Sequence, residues 1–290
     1  MDANLRNRLT FGPILLAGLL GVLRLDWFVE ARGGPKGVGL LGLLLATMPL
    51  AAVELGRLFA AEKATPFRAL ASVGAGLIVT HGFLTQFDWF RPIAASTLAF
   101  LVAGVTMAAA LRKVLAKQTE EAILAMAGTL LAAMYLGGLA WFLIALRVKE
   151  GVAEPQFVGT TFHVVMILLC VKFTDIGAYF TGKNLGRHKL IPFLSPGKTW
   201  EGLIGGVLTA ALVGAACAPF LEVLVWWKGA LFGVVIGVVG QAGDLLESLM
   251  KRDADVKDSS KLLPGFGGVL DVIDSPLVAA PAAYLLFGLL

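Results

Sequence analysis

The polar segment from Gly243 to Ser275 lies between two strongly apolar stretches and concentrates side chains that could do chemistry. It holds seven acids and four bases in 33 residues, whereas only 15% of the whole chain is charged. If the apolar stretch before Gly243 is a helix that continues outward, polar residues at helical spacing share one of its faces. These residues are Asp244, Glu247, Ser248, Lys251 and Asp255. Such a face would present both signs of charge to a ligand.

The loop that follows this predicted helix combines charge with helix-breaking residues. Lys257 and Asp258 lead into the run SSKLLPGFGG, which ends in Gly267 and Gly268. Glycine lets the backbone approach a ligand closely, so the N–H groups of this loop could face an anion.

Two carboxylates flank the segment almost symmetrically, Asp244 near its start and Asp271 near its end. Asp271, Asp274 and Ser275 are spaced to share a face in the first turns of another apolar helix. A helix leaving the membrane and a helix returning would bring Asp244 and Asp271 to the same depth. Acids at the mouth of an apolar bundle are costly unless they hold a cation, and oxygen ligands facing a phosphate favour Mg²⁺. The sequence therefore predicts a magnesium site at these two carboxylates.

A second motif covers residues 173–202, FTDIGAYFTGKNLGRHKLIPFLSPGKTWEG. Asp175 comes before the end of an apolar stretch, where an unpaired acid would be expensive. Two interpretations remain open at this point. Asp175 could pair with Lys172 on the same helix face, or it could reach the same polar cavity as Asp244 and Asp271.

The end of this motif has the pattern of a helix N-terminus. Ser195 as N-cap and Pro196 at the first helical position predict a helix whose free N–H groups face an anion, with Lys198 and Thr199 in its first turn. The run is not a Walker A loop, because Pro192 stands where the upstream glycine is required. The loop before it is basic and indicates either anion binding or the cytoplasmic side: it contains Lys183, Arg187, His188 and Lys189.

The elements that must position these residues are membrane helices. The chain has 290 residues, 58% of them hydrophobic, and a mean hydropathy of +0.83, which excludes a soluble domain. Apolar segments fall at about 11–23, 37–56, 69–87, 92–111, 122–146, 158–180, 200–221, 224–243 and 267–290. We predict an all-α, polytopic integral membrane bundle of about nine transmembrane helices, the first of them short or re-entrant. Residues 1–290 form one membrane domain, in which 1–150 are mainly scaffold spans and 158–290 are the catalytic half.

The distribution of basic residues predicts the orientation. With a cytoplasmic N-terminus, 16 lysines and arginines fall on the cytoplasmic side and seven on the other. This places both polar motifs in the cytoplasm, where nucleoside triphosphates occur, and we expect a multi-pass protein of a bacterial inner membrane. The sequence indicates no nucleic acid partner. Gly229, Gly233 and Gly237 form a helix-packing ladder that could serve within one chain or in a homodimer.

The two motifs together resemble the phosphatidate cytidylyltransferases, or CDP-diacylglycerol synthases. The run S-x-M-K-R-x4-K-D-x-S-x2-L-P-x-F-G-G-V-x-D-V-I-D, from Ser248 to Asp274, is similar to the family signature over its whole length. Phe266 stands where the family usually has His, and Val272 where it usually has Arg. The pattern D-x-G-A-Y followed by S-P-x-K-T-W-E-G resembles the family's second conserved region. The resemblance covers roughly the last 120 residues.

This resemblance implies the reaction of CTP with phosphatidate to give CDP-diacylglycerol and pyrophosphate, with Mg²⁺ as cofactor and K⁺ at a neighbouring site. Asp244 and Asp271 would bind the metal, with Glu247 or Asp274 close by. Phosphate charge would be neutralised by Lys198, Lys251, Arg252 and Lys257, and Asp175 and Asp258 would position bases or substrate. The alternatives are a cytidylyltransferase for an isoprenoid ether lipid phosphate, an isoprenoid or dolichol kinase-like enzyme, and a cation-coupled transporter.

Overall fold

The structure is a computed structural model that describes residues 3–61, 65–149, 161–221 and 224–290. Its helices are α1 (Ala3–Glu30), α2 (Val38–Ala61), α3 (Arg68–Leu84), α4 (Ala94–Leu115), α5 (Ala122–Ala133), α6 (Leu139–Val148), α7 (Thr161–Leu185), α8 (Trp200–Cys217), α9 (Trp226–Asp253) and α10 (Leu270–Leu289). Two short strands, β1 (Lys189–Ile191) and β2 (Ser195–Thr199), form an antiparallel hairpin. The predicted all-α membrane fold is confirmed.

Within the described ranges, eight helices are long and apolar enough to cross a membrane. One of them is the continuous helical stretch Ala122–Val148, in which a π-helical turn at Met134–Gly138 joins α5 to α6. The shorter apolar helix α3 has 17 residues. The first apolar segment is not short, as the sequence suggested, because α1 continues to Glu30 and its apolar part Thr10–Glu30 has 21 residues. Lys63, one of the 16 basic residues counted on the cytoplasmic side, and residues 158–160, the start of a predicted span, lie outside the described residues.

The chain folds into two compact units. The first comprises Met1–Val148 with Met250–Val272, and the second comprises Lys149–Leu249 with Ile273–Leu290. The run SSKLLPGFGG, residues 259–268, is called the signature loop below. It belongs with the N-terminal helices, whereas the second motif belongs to the other unit. That the whole chain acts as one domain stays a prediction.

The first unit is built around α3, which packs against α2, α4, α5 and α6. Its apolar core includes Leu55, Ile78 and Ile144. It also buries a charged group, because Asp26 and Arg147 are both 0% exposed. Arg147 lies 3.6 Å from Asp26 and 2.6 Å from Glu30, and Asp26 accepts hydrogen bonds from the first backbone N–H groups of α2. This ion pair connects α1, α2 and α6.

Replacing the buried arginine should destabilise the first unit. We expect Arg147→Met to lower the free energy of unfolding by about 3–5 kcal/mol, because it leaves buried acids without their counter-charge. The matched control is Arg91→Met, which removes an ion pair to Asp88, a side chain 94% exposed, together with exposed hydrogen bonds to the carbonyls of Thr85 and Gln86. The control should cost about 0–1 kcal/mol. Unfolding of the purified protein in detergent measures both, and equal stability of the two variants would contradict the assignment.

The second unit depends on small residues at its helix contacts. Helices α7 and α8 pack closely, with Gly177 against Thr209 and Gly205 against Thr181. Helices α8 and α9 also approach closely, since a Cβ on Gly233 would collide with the carbonyl of Ala210. The glycine ladder of α9 therefore packs within the chain.

The helix start predicted at Ser195 is wrong. Ser195 lies in β2, paired with Ile191, and α8 begins five residues later at Trp200. Thr199 is the N-cap, and its Oγ1 accepts a hydrogen bond from the backbone N–H of Gly202 at 3.1 Å. Ser195-Pro196 has the local pattern of a cap, but strand pairing across the hairpin satisfies these backbone groups instead.

Candidate active site

The second unit contains a cavity of about 400 Å³ that is lined by both charged and apolar side chains. Its walls come from the end of α7, the β-hairpin, the start of α8 and the middle of α9. The charged side chains that line it are Asp175, Lys183, Lys198 and Asp244. Tyr179, Leu190 and Leu203 add apolar surface to the same walls. A cavity with both characters could accept a ligand that has a charged head and an apolar body.

A connected hydrogen-bond network crosses this cavity. Lys198 forms an ion pair with Asp244 and donates a hydrogen bond to Oε1 of Gln241 at 3.0 Å. Gln241 in turn donates from Nε2 to Oδ1 of Asp175 at 2.9 Å. The structure therefore brings together three residues that the sequence singled out, Asp175, Lys198 and Asp244. Asp175 lines the same cavity as Asp244, and its carboxylate contacts Gln241 from the neighbouring helix. Lys172 also lies within electrostatic reach of Asp175, so the two interpretations do not exclude each other, and the part of Asp271 stays a prediction.

The hairpin holds its lysines in different positions. The side chain of Lys198 is 20% exposed and points to the cavity network. Lys189 is exposed, and its Nζ donates a hydrogen bond to the carbonyl of Pro196 across the hairpin. Glu201, in the first turn of α8, accepts from the backbone N–H groups of Arg187 and His188. Local hydrogen bonds thus fix the hairpin. Of its two lysines, Lys198 is the one that lines the cavity.

A second group of acids lies deeper in the same unit. Glu247 is 1% exposed and Asp274 is 3% exposed. Their carboxyl groups are hydrogen-bonded to each other, and Asp274 is within electrostatic reach of Asp244 and Lys172. Two carboxyl groups can make such a contact only when a proton or a cation lies between them. At least one of these two carboxyl groups is therefore protonated unless a cation bridges them.

In the first unit, hydrogen bonds from the signature loop converge on Asp271. Its Oδ1 accepts from Nζ of Lys251 at 2.8 Å. Its Oδ2 accepts from the backbone N–H and hydroxyl of Ser259, at 3.1 and 2.7 Å, and from the backbone N–H of Gly268 at 2.6 Å. Both the lysine and the aspartate side chains are nearly buried, at 12% and 9% exposure. Asp271 thereby joins the end of α9, the loop and the start of α10.

The other predicted loop residues have more open positions. Arg252, Lys257 and Asp258 are exposed. Helix α9 ends at Asp253, so Asp255 does not continue its polar face as predicted; it follows the helix with a left-handed backbone, at φ 54°. The anion that Gly268 approaches in this structure is the carboxylate of Asp271.

Gly267 and Phe266 have structural roles in the signature loop, one through its backbone conformation and the other through its packing. Gly267 has φ 96°, a conformation that residues with a Cβ rarely adopt. Phe266 stands where the family signature usually has histidine, and its ring packs against Gly12 of α1. An apolar contact thus occupies this position of the loop.

Two polar residues that the sequence analysis did not select belong to these clusters. Gln241 lines the cavity and connects Lys198 to Asp175. Glu54, on α2, is 3% exposed and accepts hydrogen bonds from the signature loop. Gln241 is uncharged, so the sequence gave no reason to select it. Glu54 is an acid within an apolar helix, and such a position indicates a specific partner.

Three acids of the second unit could contribute ligands to a magnesium site. In the described ranges, no group of three or more His, Cys, Asp or Glu side chains is arranged to hold a metal. Magnesium is usually held by one or two carboxylates together with water and substrate phosphates. Asp244, with Glu247 and Asp274 behind it, fits this requirement. Asp271 lies in the other unit and is paired with Lys251, so its predicted joint binding of the metal with Asp244 stays a prediction.

Comparison with known proteins gives a family match. The profile of the cytidylyltransferase family matches residues 17–290, nearly the whole chain. The phosphatidate cytidylyltransferase of Synechocystis is 47% identical over 137 residues, which are 47% of this chain and 46% of that protein. The enzyme of the same name from Bacillus subtilis is 40% identical over 166 residues, 55% of this chain and 57% of that protein.

A further relative carries no functional name. It is the uncharacterized protein YnbB of Escherichia coli, which is 44% identical over 126 residues, 43% of this chain and 42% of that protein. The aligned part thus spans about half the length of the curated relatives.

Proposed function

The chain belongs to the cytidylyltransferase family, and we propose that it is a phosphatidate cytidylyltransferase that converts CTP and phosphatidate into CDP-diacylglycerol and pyrophosphate. The observation that carries this proposal is the cavity network of Asp175, Gln241, Lys198 and Asp244, which combines cation and carboxylates in a membrane helix bundle. Similarity to relatives that are named phosphatidate cytidylyltransferase supports the choice of reaction.

The reaction needs positioning and charge shielding more than an activated side chain. A phosphate oxygen of phosphatidate forms a bond to the α-phosphorus of CTP, and the bond from that phosphorus to the oxygen bridging to the β-phosphorus breaks. Pyrophosphate leaves with the electron pair. The attacking oxygen is already anionic near neutral pH, so a catalytic Ser-His or Cys-His pair is not required. Lys198 would neutralise phosphate charge in the cavity, and Lys251 and Lys257 would do so at the signature loop.

Magnesium is the proposed cofactor, and K⁺ is a candidate second cation. Asp244 would bind the Mg²⁺ ion with Glu247 or Asp274, and Asp271 stays a predicted ligand. When bound, Mg²⁺ would shield the negative oxygens of the triphosphate. Lys198 already forms an ion pair with Asp244. It would orient this carboxylate without binding the metal itself.

The proposed location follows from the two substrates. Phosphatidate resides in the bilayer and CTP in water, so the cavity would have to meet both at the cytoplasmic surface of a bacterial inner membrane. The count of basic residues, 16 against seven, supports a cytoplasmic N-terminus. A homodimer stays a prediction, and it would need a surface other than the glycine ladder, which is used within the chain.

Lys198 should contribute strongly to turnover. We expect Lys198→Met to reduce kcat/KM for pyrophosphate release by about 10- to 100-fold, because Asp244 loses the partner that orients it. The control is Lys228→Met, near the start of α9, where Lys228 donates a hydrogen bond to the carbonyl of Leu290 and lies over the ring of Trp227. Steady-state rates at saturating Mg²⁺ measure the difference. Wild-type kcat/KM in Lys198→Met would refute a role for this lysine.

The proposed function is tested by substrate dependence. Detergent-purified protein receives Mg²⁺, CTP and phosphatidate, and pyrophosphate release is followed with ATP, dATP and an isoprenoid ether lipid phosphate as comparisons. We expect release only when CTP and phosphatidate are both present. Pyrophosphate release with the ether lipid but not with phosphatidate would assign a different lipid substrate. No release with any lipid would reject the proposed cytidylyltransferase function.

A further inference from the structure

Glu54 is the strongest unexplained polar group in the first unit. It lies on α2 two turns before the helix ends at Ala61, and it is 3% exposed. Its neighbours on the helix, Val53 and Leu55, are apolar. Burying a carboxylate in such surroundings costs several kcal/mol unless donors surround it. The partners of Glu54 therefore indicate what it does.

Four donors surround this carboxylate. Oε1 accepts from the hydroxyl of Ser260 at 2.6 Å and from the backbone N–H of Val269 at 3.1 Å. Oε2 accepts from the backbone N–H of Leu270 at 2.8 Å and lies 3.3 Å from the hydroxyl of Ser259. The two serines are the first residues of the signature loop. The two N–H groups lie at the start of α10, on its first residue and on the residue before it. One carboxylate thus ties together both ends of the signature loop.

The same loop ends hold Asp271. Ser259 donates its backbone N–H to Asp271, and its hydroxyl lies 2.7 Å from Asp271 and 3.3 Å from Glu54. Since a hydroxyl has one proton, it donates to one carboxylate at a time, and the shorter distance favours Asp271. Gly268 leaves no room for a side chain here, because a Cβ would collide with Ser259 and Glu54. Glu54 and Asp271 are therefore neighbours that share Ser259.

We propose that Glu54 is a positioning residue, which holds the signature loop closed and fixes the orientation of Asp271 for the reaction. It acts through Ser259, Ser260 and the first turn of α10. The favourable N-terminus of α10 and the two hydroxyls offset the cost of burying its charge. The part of this inference that concerns turnover rests on the proposed cytidylyltransferase function.

The test compares Glu54→Gln with Glu54→Asp. An amide nitrogen cannot accept a hydrogen bond, so the glutamine leaves either the Leu270 N–H group or both the Ser260 hydroxyl and the Val269 N–H group without an acceptor, whereas aspartate keeps the charge. We expect Glu54→Gln to lower kcat by about tenfold or more with KM for CTP changed less than about threefold, because the loss is one of alignment. Glu54→Asp should recover part of kcat. Ser260→Ala, which removes one donor, should show the same pattern at a smaller size.

Hydrogen exchange gives a readout that does not depend on turnover. In Glu54→Gln, amides of residues 259–270 should exchange about tenfold faster, while α3 to α6 keep their protection. Thr47→Val is the matched control on α2, because its hydroxyl bonds only to the carbonyls of Leu43 and Leu44 among its described contacts. It should leave both exchange and kcat unchanged.

Two results would overturn the assignment of Glu54. One is unchanged exchange of the loop in Glu54→Gln. The other is faster exchange throughout the first unit with activity falling only in proportion to folded protein, since Glu54 would then be a general stability residue. If the wild-type protein turned over no substrate, the proposed function would fail, and exchange of the loop would still decide whether Glu54 holds it.

Discussion

Asp244→Asn is expected to reduce kcat/KM for CTP- and phosphatidate-dependent pyrophosphate release by at least about 100-fold. Asp244 is the carboxylate that lines the cavity, pairs with Lys198 and lies within electrostatic reach of Asp274. The asparagine keeps the shape but loses the negative charge that pairs with Lys198 and that the proposed Mg²⁺ ion would require. Rates measured across a Mg²⁺ titration should show a higher Mg²⁺ requirement as well as a lower maximum.

The matched control for this substitution is Asp88→Asn. Asp88 is also an aspartate paired with a basic residue, but it is 94% exposed and forms its pair with Arg91 three residues away. This control should retain full turnover at every Mg²⁺ concentration. Near-normal turnover in Asp244→Asn at the wild-type Mg²⁺ requirement would exclude Asp244 as a metal ligand.

Asp271→Asn is the second substitution for which we expect a loss of about 100-fold in kcat/KM. Four hydrogen bonds converge on the two oxygens of Asp271. Whichever way an amide turns, its nitrogen faces donors, so either Lys251 or the Ser259 and Gly268 group loses its acceptor. Lys251 would also lose its counter-charge in a nearly buried position. Turnover and thermal unfolding of the same preparation measure the effect.

A double variant separates the ion pair from catalysis. Asp271→Asn with Lys251→Met removes the uncompensated charge, so it should unfold at a higher temperature than Asp271→Asn alone. Its activity should stay low, because the loop and any bound metal still lack the carboxylate. Asp253→Asn, at the exposed end of α9, is the control for this region. Activity that returned together with stability would show that Asp271 serves only the fold.

Much of the fold was predictable, because helix length and hydropathy are local properties. Continuous apolar stretches of about 20 residues mark membrane helices whatever their partners are. The start of α10 and the placing of Asp271 and Asp274 in its first turns also follow from spacing, and the structure has them there. The shared cavity of Asp175 and Asp244 was one of two alternatives, and a single sequence could not choose between them because the choice depends on helix packing.

The wrong helix start at Ser195 and the failure to select Glu54 have a common physical cause: pairing between residues distant in sequence overrides the local pattern. Ser195-Pro196 is a good local cap, yet β2 pairs with β1 and moves the helix start to Trp200. Glu54 is separated from Ser260 by about 200 residues of sequence, so no spacing rule connects them. Its position in an apolar helix was a usable sign that it had a partner, but not of which partner it had.

The most direct test of the central claim is to identify the product. Purified protein in liposomes that contain phosphatidate receives CTP and Mg²⁺, and lipids are extracted for mass spectrometry while pyrophosphate is measured in the same sample. We predict that CDP-diacylglycerol appears in a one-to-one ratio with pyrophosphate, and that neither forms with Asp244→Asn. Pyrophosphate without a CMP-bearing lipid, or no product from folded wild-type protein, would contradict the account.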